Sequence, residues 1–130
     1  MNDSQKLAAI ENHWSFCDAN DQDAVHEIYH DDVVVDWPQS GERVLGKINL
    51  QTLRVNHPSR TRFSTRRILG SGDLWITEYV ITYDERPVHT VSIMEWRDDK
   101  VARETHYFAD PFDPPKWRAQ WVAGPERHET

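Results

Sequence analysis

Residues 104–112 read ETHYFADPF, and this stretch decides the fold of the chain. It predicts the last strand of a sheet, because the proline at its end cannot continue a ladder of backbone hydrogen bonds. Successive side chains of a strand point to opposite faces, so Glu104, His106 and Phe108 share one face. An acid, an imidazole and an aromatic ring on one face predict that this strand forms a wall of a pocket.

Three more strands precede this one, which predicts an antiparallel meander. Turn-forming residues separate each strand from the next. The predicted strands are Arg62–Leu69, Leu74–Tyr83, Val88–Trp96 and Lys100–Asp110, with turns at Gly70–Asp73, Asp84–Pro87 and Arg97–Asp99.

The first half of the chain is predicted to be mainly helical. Leu7, Ile10, Trp14 and Cys17 recur at helical spacing, which predicts an amphipathic helix ending at about Ala19. After it we expect a short second helix with one stripe of Ala24, Val25, Ile28 and Tyr29, a strand from Val33, a brief strand at Val44–Leu45, and a third helix over Lys47–Asn56.

Helices followed by a long meander predict an α+β domain in which the helices cover one face of the sheet. The sheet is long for three helices, so we expect it to curl around them and enclose a cavity. Trp117 and Trp121, four residues apart, predict the apolar side of a short final helix. We expect one domain over residues 1–130, with an ordered core at about 4–122 and a loose polar tail after Gly124.

Composition excludes several classes of function. The net charge of −7 argues against nucleic acid, whose phosphates require a basic face. Cys17 is the only cysteine, so the chain has neither an internal disulfide nor a thiolate metal site. No apolar run reaches the roughly 20 residues of a membrane span, and no signal-peptide core is found. We therefore predict a cytoplasmic protein without a membrane partner.

The turn before the last strand sets the face on which each side chain lies. A three-residue loop, Arg97–Asp99, pairs Trp96 with Lys100. A two-residue loop, Asp98–Asp99, pairs Arg97 with Lys100 and brings His89, Val91, Ile93 and Glu95 to the pocket face instead. We favour the first, because two aspartates suit the tighter turn poorly without a glycine. It gives a pocket face of Thr77, Tyr79, Ile81, Thr90, Ser92, Met94, Trp96, Ala102, Glu104, His106 and Phe108, with Tyr79 opposite Ser92.

The other face of the sheet is mostly β-branched or aromatic. An open apolar sheet face predicts an interface between two copies of the chain, so we expect a homodimer through this outer face. Its predicted residues are Val80, Val91, Ile93, Val101, Thr105 and Tyr107.

The order of elements resembles the nuclear transport factor 2-like superfamily, in particular its SnoaL-like and ketosteroid isomerase-like proteins. Residues 29–38, YHDDVVVDWP, carry the resemblance together with Gly46 before a helix, residues 91–94 and 107–108, and Asp110. It implies a cone-shaped, curved, mostly antiparallel sheet wrapped around three helices of the N-terminal half, with a short C-terminal helix. The scaffold serves many purposes, so the resemblance specifies the fold better than the reaction.

A ketosteroid isomerase site does not carry over to this chain. The general-base aspartate that precedes a proline in those enzymes matches Trp37, and tryptophan cannot accept the proton. The oxyanion-binding tyrosine of the first helix matches about His13, and the protonated aspartate of the meander matches Ser92. The chain is therefore not predicted to be a standard ketosteroid isomerase.

His106 is the strongest candidate for chemistry. SnoaL-like cyclases and some epoxide hydrolases place an acidic base on the final strand, and the resemblance implies this role for His106. The alternative is a structural histidine held by hydrogen bonds. Glu104 would orient His106, or instead pair with Arg67 or Arg103. The residues expected to contact a ligand are His13, Trp14, Trp37, Tyr79, Ser92, Met94 and Phe108, with Ser92 and Tyr79 holding its polar oxygen.

Two functions follow. One is a cofactor-independent lyase, isomerase or cyclase acting on a small, largely apolar carbonyl or hydroxyl compound. The other is a non-catalytic ligand-binding or dimeric scaffold protein, which would bind tightly without turnover. No metal site is expected, because His89 lies on the other face in the favoured register and no ligand spacing is present.

Overall fold

Three helices form, and capping side chains begin the first two of them. In the computed structural model, which describes residues 1–126, α1 spans Asp3–Ala19, α2 spans Gln22–His26 and α3 spans Lys47–Val55. The Asn2 side chain accepts from the Gln5 backbone at 2.8 Å, and Asn20 ends α1 with a φ of 58°. The tail expected to be loose after Gly124 includes residues 127–130, which lie outside the described residues.

Six strands form one curved sheet. They are β1 (Tyr29–Trp37), β2 (Glu42–Leu45), β3 (Thr61–Ser71), β4 (Leu74–Tyr83), β5 (Arg86–Arg97) and β6 (Lys100–Ala109). Their order across the sheet is β2-β1-β6-β5-β4-β3, and only the β1–β6 pair is parallel. The predicted α+β fold with a mostly antiparallel sheet is confirmed. Strand β6, which contains Glu104 and His106, lies near the centre of the sheet.

Strand β1 begins earlier than the sequence indicated. Tyr29 was expected on the stripe of a helix, but it pairs with Val101 of β6 and is fully buried. The helix ends at His26 instead. The tyrosine is thereby held within the sheet, where its hydroxyl meets groups of the pocket.

The β5–β6 hairpin corrects the predicted loop but keeps the predicted face. Its turn has two residues, with Asp98 at a φ of 57°, and Arg97 pairs with Lys100. A bulge then leaves Ala102 unpaired, because Trp96 pairs with Val101 whereas Glu95 pairs with Arg103. The extra residue restores the expected alternation, so Ser92 lies opposite His106 and Met94 opposite Glu104.

The bulge also reverses one assignment. Val101 was expected on the outer face, yet it is fully buried among core residues, and Ala102 is only partly buried. A register argument from loop length alone cannot find an extra residue within the strand.

The β4–β5 hairpin is tighter than predicted. Asp84 and Glu85 form its two-residue turn with φ values of 49° and 74°, so Pro87 belongs to β5. Tyr79 therefore lies opposite Thr90, and Thr77 lies opposite Ser92, which moves the predicted pairing by two residues. A shift of two keeps side chains on the same face, and Thr77, Tyr79 and Ile81 are buried as expected.

The end of the chain adds a 3-10 helix, Lys116–Trp121, rather than a packed α-helix. Trp117 and Trp121 are 72% and 71% exposed, so most of their expected apolar side is not packed against the described part of the chain. Among residues 1–126, no helix is long and apolar enough to cross a membrane.

Candidate functional site

The concave side of the sheet and the helices line a cavity of about 840 Å³. Its volume is within the range of small-molecule sites. Aromatic rings form much of the wall: Trp14 packs on Tyr79 with ring centroids 4.2 Å apart, and its indole nitrogen donates to Thr77 at 3.1 Å. The lining aromatic residues are Trp14, Trp37, Phe63, Tyr79, Tyr83 and Phe108.

Most of the predicted ligand contacts line this cavity. They come from α1, β1, β4 and β6, which the fold brings to one concavity although they are distant in sequence. The predicted residues found there are His13, Trp14, Trp37, Tyr79, His106 and Phe108.

Ser92, Met94 and Glu104 lie behind the wall instead. Ser92 and Glu104 are fully buried, Met94 is 1% exposed, and none of the three lines the cavity. Ser92 donates its hydroxyl proton to Glu104 at 2.5 Å, so that hydroxyl does not hold a ligand oxygen in this arrangement. Ser92 and Glu104 support the pocket from beneath.

The Glu104 carboxylate is held by three donors. Tyr29 and Ser92 each donate a hydroxyl proton at 2.5 Å, and the His106 Nε2 lies 3.1 Å away. Burial alone would raise the pKa of Glu104, but the neighbouring His106 and Arg54 lower this pKa well below its usual range. Glu104 is therefore a buried carboxylate that accepts hydrogen bonds from its neighbours.

The two other partners considered for Glu104 lie elsewhere. Arg67 pairs with Glu78, and Arg103 pairs with Asp36, both among exposed or half-buried side chains. The predicted contact between Glu104 and His106 is the one that forms.

His106 has a defined tautomer. Its Nδ1 lies 3.1 Å from the indole nitrogen of Trp37, which can only donate a hydrogen. Nδ1 therefore carries a lone pair, and Nε2 carries the hydrogen that points to Glu104. The lone pair lies at the wall of the cavity, because both His106 and Trp37 line it.

His13 is neutral and fixed in the opposite tautomer. Its Nδ1 lies 2.9 Å from the Val25 carbonyl oxygen, which can only accept, so the hydrogen is on Nδ1 and the lone pair on Nε2. Within residues 1–126, the partner of Nε2 is the Cys17 sulfur, at 3.7 Å. Burial lowers the pKa of His13 to about 4 and raises the pKa of the Cys17 thiol to about 12.

Arg54 is the residue of this site that the sequence analysis did not single out. It lies in the last turn of α3, lines the cavity, and has its Nη1 3.2 Å from both the His26 Nε2 and the Tyr29 hydroxyl oxygen. Its Nη2 lies 3.8 Å from a Glu104 oxygen. One signal could have found it: Arg54 follows the fully buried Leu50 by one helical turn, so it lies on the inner stripe of α3.

His26 completes the group around Arg54. It is fully buried, and its Nδ1 lies 2.6 Å from the Gln22 carbonyl oxygen, so Nε2 is free to accept from Arg54. Burial is the main cause that lowers the pKa of His26 to about 4. Two neutral histidines, one carboxylate and one guanidinium thus surround the Tyr29 side chain.

The described residues contain no cluster of three or more side chains able to hold a metal ion. The polar groups of the cavity are instead arranged as donor–acceptor pairs. Such pairs are suited to proton transfer and to orienting a polar ligand.

Comparisons with known proteins find the same fold. The profile of the SnoaL-like domain family matches residues 10–104. An NTF-2-like protein of unknown function from Burkholderia xenovorans LB400 is 53% identical, over 97% of this chain and 99% of that chain, with a TM-score of 0.88. A search of curated protein sequences finds no match.

More distant structures share the fold alone. A candidate ketosteroid isomerase from Kribbella flavida DSM 17836 is 20% identical over 98% of this chain and 95% of its own, with a TM-score of 0.87. A LEH-like epoxide hydrolase from M. tuberculosis is 21% identical over 81% and 83%, with a TM-score of 0.67.

Proposed function

The chain belongs to the SnoaL-like domain family of the nuclear transport factor 2-like superfamily, and from this premise we propose that its cavity moves a proton on a bound compound without a cofactor. The compound is small and largely apolar, carries a carbonyl or hydroxyl group, and is changed by an isomerase, lyase or cyclase reaction. One observation carries the proposal: a histidine lone pair lies at the cavity wall, with a buried carboxylate behind its other nitrogen.

His106 suits the role of base better than His13 does. A base must become positively charged, and Glu104 lies 3.1 Å from His106, where it would stabilise the imidazolium. His13 is held by a neutral carbonyl group, and burial lowers its pKa to about 4, so its protonation is costly. We assign the proton transfer to His106 and a hydrogen-bond accepting role to His13.

The proposed step begins when a ligand displaces the Trp37 indole N–H from the His106 Nδ1. Nδ1 then accepts a proton from a carbon or oxygen of the ligand, and the electron pair left behind becomes an enolate or alkoxide. Tyr79 lines the cavity, and its hydroxyl has no hydrogen-bond partner within residues 1–126, so it is available to donate to that oxygen. Return of the proton at another position completes an isomerisation, whereas departure of a leaving group completes a lyase reaction.

Mass spectrometry of the native protein purified from its own host would identify a ligand that it carries. With that compound, His106→Gln should lower kcat by at least about 100-fold, the usual scale for loss of a general base. His57→Gln is the matched control, because His57 also lines the cavity but stacks on Tyr83 and contacts neither Glu104 nor Trp37. Unchanged turnover in His106→Gln would refute the assigned mechanism.

A second function is favoured by the same indole contact. In this arrangement both nitrogens of His106 have partners, as they would in a structural histidine. A non-catalytic ligand-binding or scaffold protein of this fold would bind its compound tightly and release it unchanged. His106→Gln would then leave the chemistry of the bound compound as it was.

A further inference from the structure

One edge of the Arg54 guanidinium makes no hydrogen bond within the described residues. A guanidinium has five N–H donors, and the two on Nη1 face the His26 Nε2 and the Tyr29 oxygen, each at 3.2 Å. The nearest carboxylate oxygen, from Glu104, is 3.8 Å from Nη2 and beyond hydrogen-bond distance. Within residues 1–126, the Nε and Nη2 atoms have no hydrogen-bond partner.

This edge is held in place and is accessible. His26 is fixed by the Gln22 carbonyl at 2.6 Å, Tyr29 is fully buried, and the guanidinium carbon of Arg54 lies 5.5 Å from the centre of the tyrosine ring. The Arg54 side chain is 23% exposed and lines the cavity. A cation that is positioned before the ligand arrives loses little freedom on binding.

The charged groups around Arg54 do not occupy its Nε–Nη2 edge, so this edge can donate to a ligand. Glu104 is the carboxylate that faces Arg54, and its two oxygens already accept from Tyr29 and Ser92 and contact His106. Among the described lining residues the other arginine is Arg86, which is 70% exposed and lies 3.8 Å from Asp110. Arg54 is thus the cation set among the aromatic walls.

We propose that the Nε–Nη2 edge of Arg54 binds a carboxylate, and that the ligands of this cavity are small apolar compounds that carry one carboxylate group. A planar carboxylate fits two parallel N–H donors of arginine. One guanidinium edge matches the two oxygens and the single negative charge of a carboxylate. The inference deepens the proposed function and rests on it, since it names the substrate class of the same cavity.

Calorimetric titration with 2-naphthoate and with 2-naphthamide tests the inference directly. The two compounds share their rings and differ in the charge of one group. We expect the unmodified protein to bind the carboxylate at least tenfold more tightly than the amide at pH 7.5. Equal affinity, or tighter binding of the amide, would overturn the inference without any variant.

Variants then assign the preference to Arg54. Glu104→Gln alone should keep it, whereas Arg54→Gln combined with Glu104→Gln should reduce it to within about twofold. The double variant removes both buried charges, so no carboxylate is left without its cation. Arg54→Lys, which keeps the charge but lacks the planar edge, should lose most of the preference. Arg86→Gln is the matched control and should keep the preference for the carboxylate. Loss of the preference in this variant would place the carboxylate at Arg86 instead.

The same titration separates this inference from the proposed function. His106→Gln should bind the carboxylate with unchanged preference, although it no longer moves a proton. If turnover depends on His106 while the amide binds as tightly as the carboxylate, only the carboxylate inference fails. If the preference holds while turnover does not depend on His106, only the proton-transfer mechanism fails.

Discussion

His13 and His26 are buried in their neutral forms, and this makes the stability of the protein depend on pH. Burial is the main cause that lowers the pKa of each from 6.5 to about 4. Between these values the unfolded chain binds protons that the folded chain does not bind, so the free energy of unfolding decreases as the pH falls from about 6.5 to about 4. The slope is at most about 1.4 kcal/mol per pH unit for each histidine.

Urea unfolding measured between pH 4.5 and 7.5 checks this expectation. His13→Gln should flatten the profile by about half, whereas the exposed His57→Gln should not change it. Below about pH 4.5 Glu104 acts in the same direction, because its folded pKa is lowered and its unfolded carboxyl takes up a proton there. A free energy of unfolding that is constant from pH 6.5 to 4.5 would contradict the assignment of neutral buried histidines.

Individual residues of the site were predictable to different degrees. His106 and Glu104 could be placed together because strand alternation puts them on one face and two residues apart. Arg54 was missed because a charged residue on a helix is usually solvated, and only tertiary contacts with His26, Tyr29 and Glu104 keep it at the cavity. Ser92 was placed on the correct face, but which atom it bonds depends on packing that no periodicity encodes.

The two β-hairpins show how far a strand pattern determines register. Alternation identified the inward side of β4, β5 and most of β6, because burial requires every second residue to be apolar or bonded. Loop length was not determined, since Asp84, Glu85 and Asp98 adopt positive φ values that glycine would normally supply. The bulge at Ala102 is likewise set by pairing between strands rather than by a local signal.

A substitution in the β4–β5 turn tests whether its positive φ values favour glycine. Glu85 has a φ of 74°, so Glu85→Gly should relieve steric conflict and increase the free energy of unfolding by about 1 kcal/mol. The measurement is the midpoint of urea unfolding at pH 7.5. A change from glycine to alanine in β3, Gly70→Ala, should instead destabilise the protein. The added Cβ would lie 2.5 Å from the Leu74 backbone oxygen and the Trp75 ring. A lower midpoint for Glu85→Gly would show that this side chain makes stabilising contacts.

For the molecule as a whole, we still predict a homodimer that forms through the outer face of the sheet. Ile76, Ile93 and Thr105 lie in one row across β4, β5 and β6, and Val91 and Tyr107 lie in the next. Ile76 is 37% and Tyr107 43% exposed, so these two rows offer apolar area for a second copy.

Light scattering coupled to gel filtration checks the prediction of the dimer. We expect a mass of about twice the 15.3 kDa of one chain, and Ile93→Glu should shift it toward a single chain. Leu45→Glu, an exposed site on β2 away from this row, should leave the mass unchanged. A single-chain mass for the unmodified protein would contradict the prediction.

The order of the elements and the curved sheet followed from the sequence, because helices and strands have different apolar periods and the resemblance supplied their arrangement. A cavity between the sheet and the helices was expected from a sheet too long for its helices to cover when flat. The chemistry inside the cavity depends on contacts between residues up to 75 positions apart, such as Tyr29 and Glu104. Those contacts could be identified only from the three-dimensional structure.

Deuterium exchange most directly tests the claim that this cavity moves a proton through His106. The protein would be incubated in D2O with enolisable aryl ketones and aryl keto acids, such as 2-tetralone and phenylpyruvate, and loss of the α-proton followed by NMR. We predict that the unmodified protein exchanges at least one compound faster than buffer, that His106→Gln slows this exchange at least about 100-fold, and that His57→Gln does not. The same enzymatic exchange rate in His106→Gln and the unmodified protein would contradict the claim.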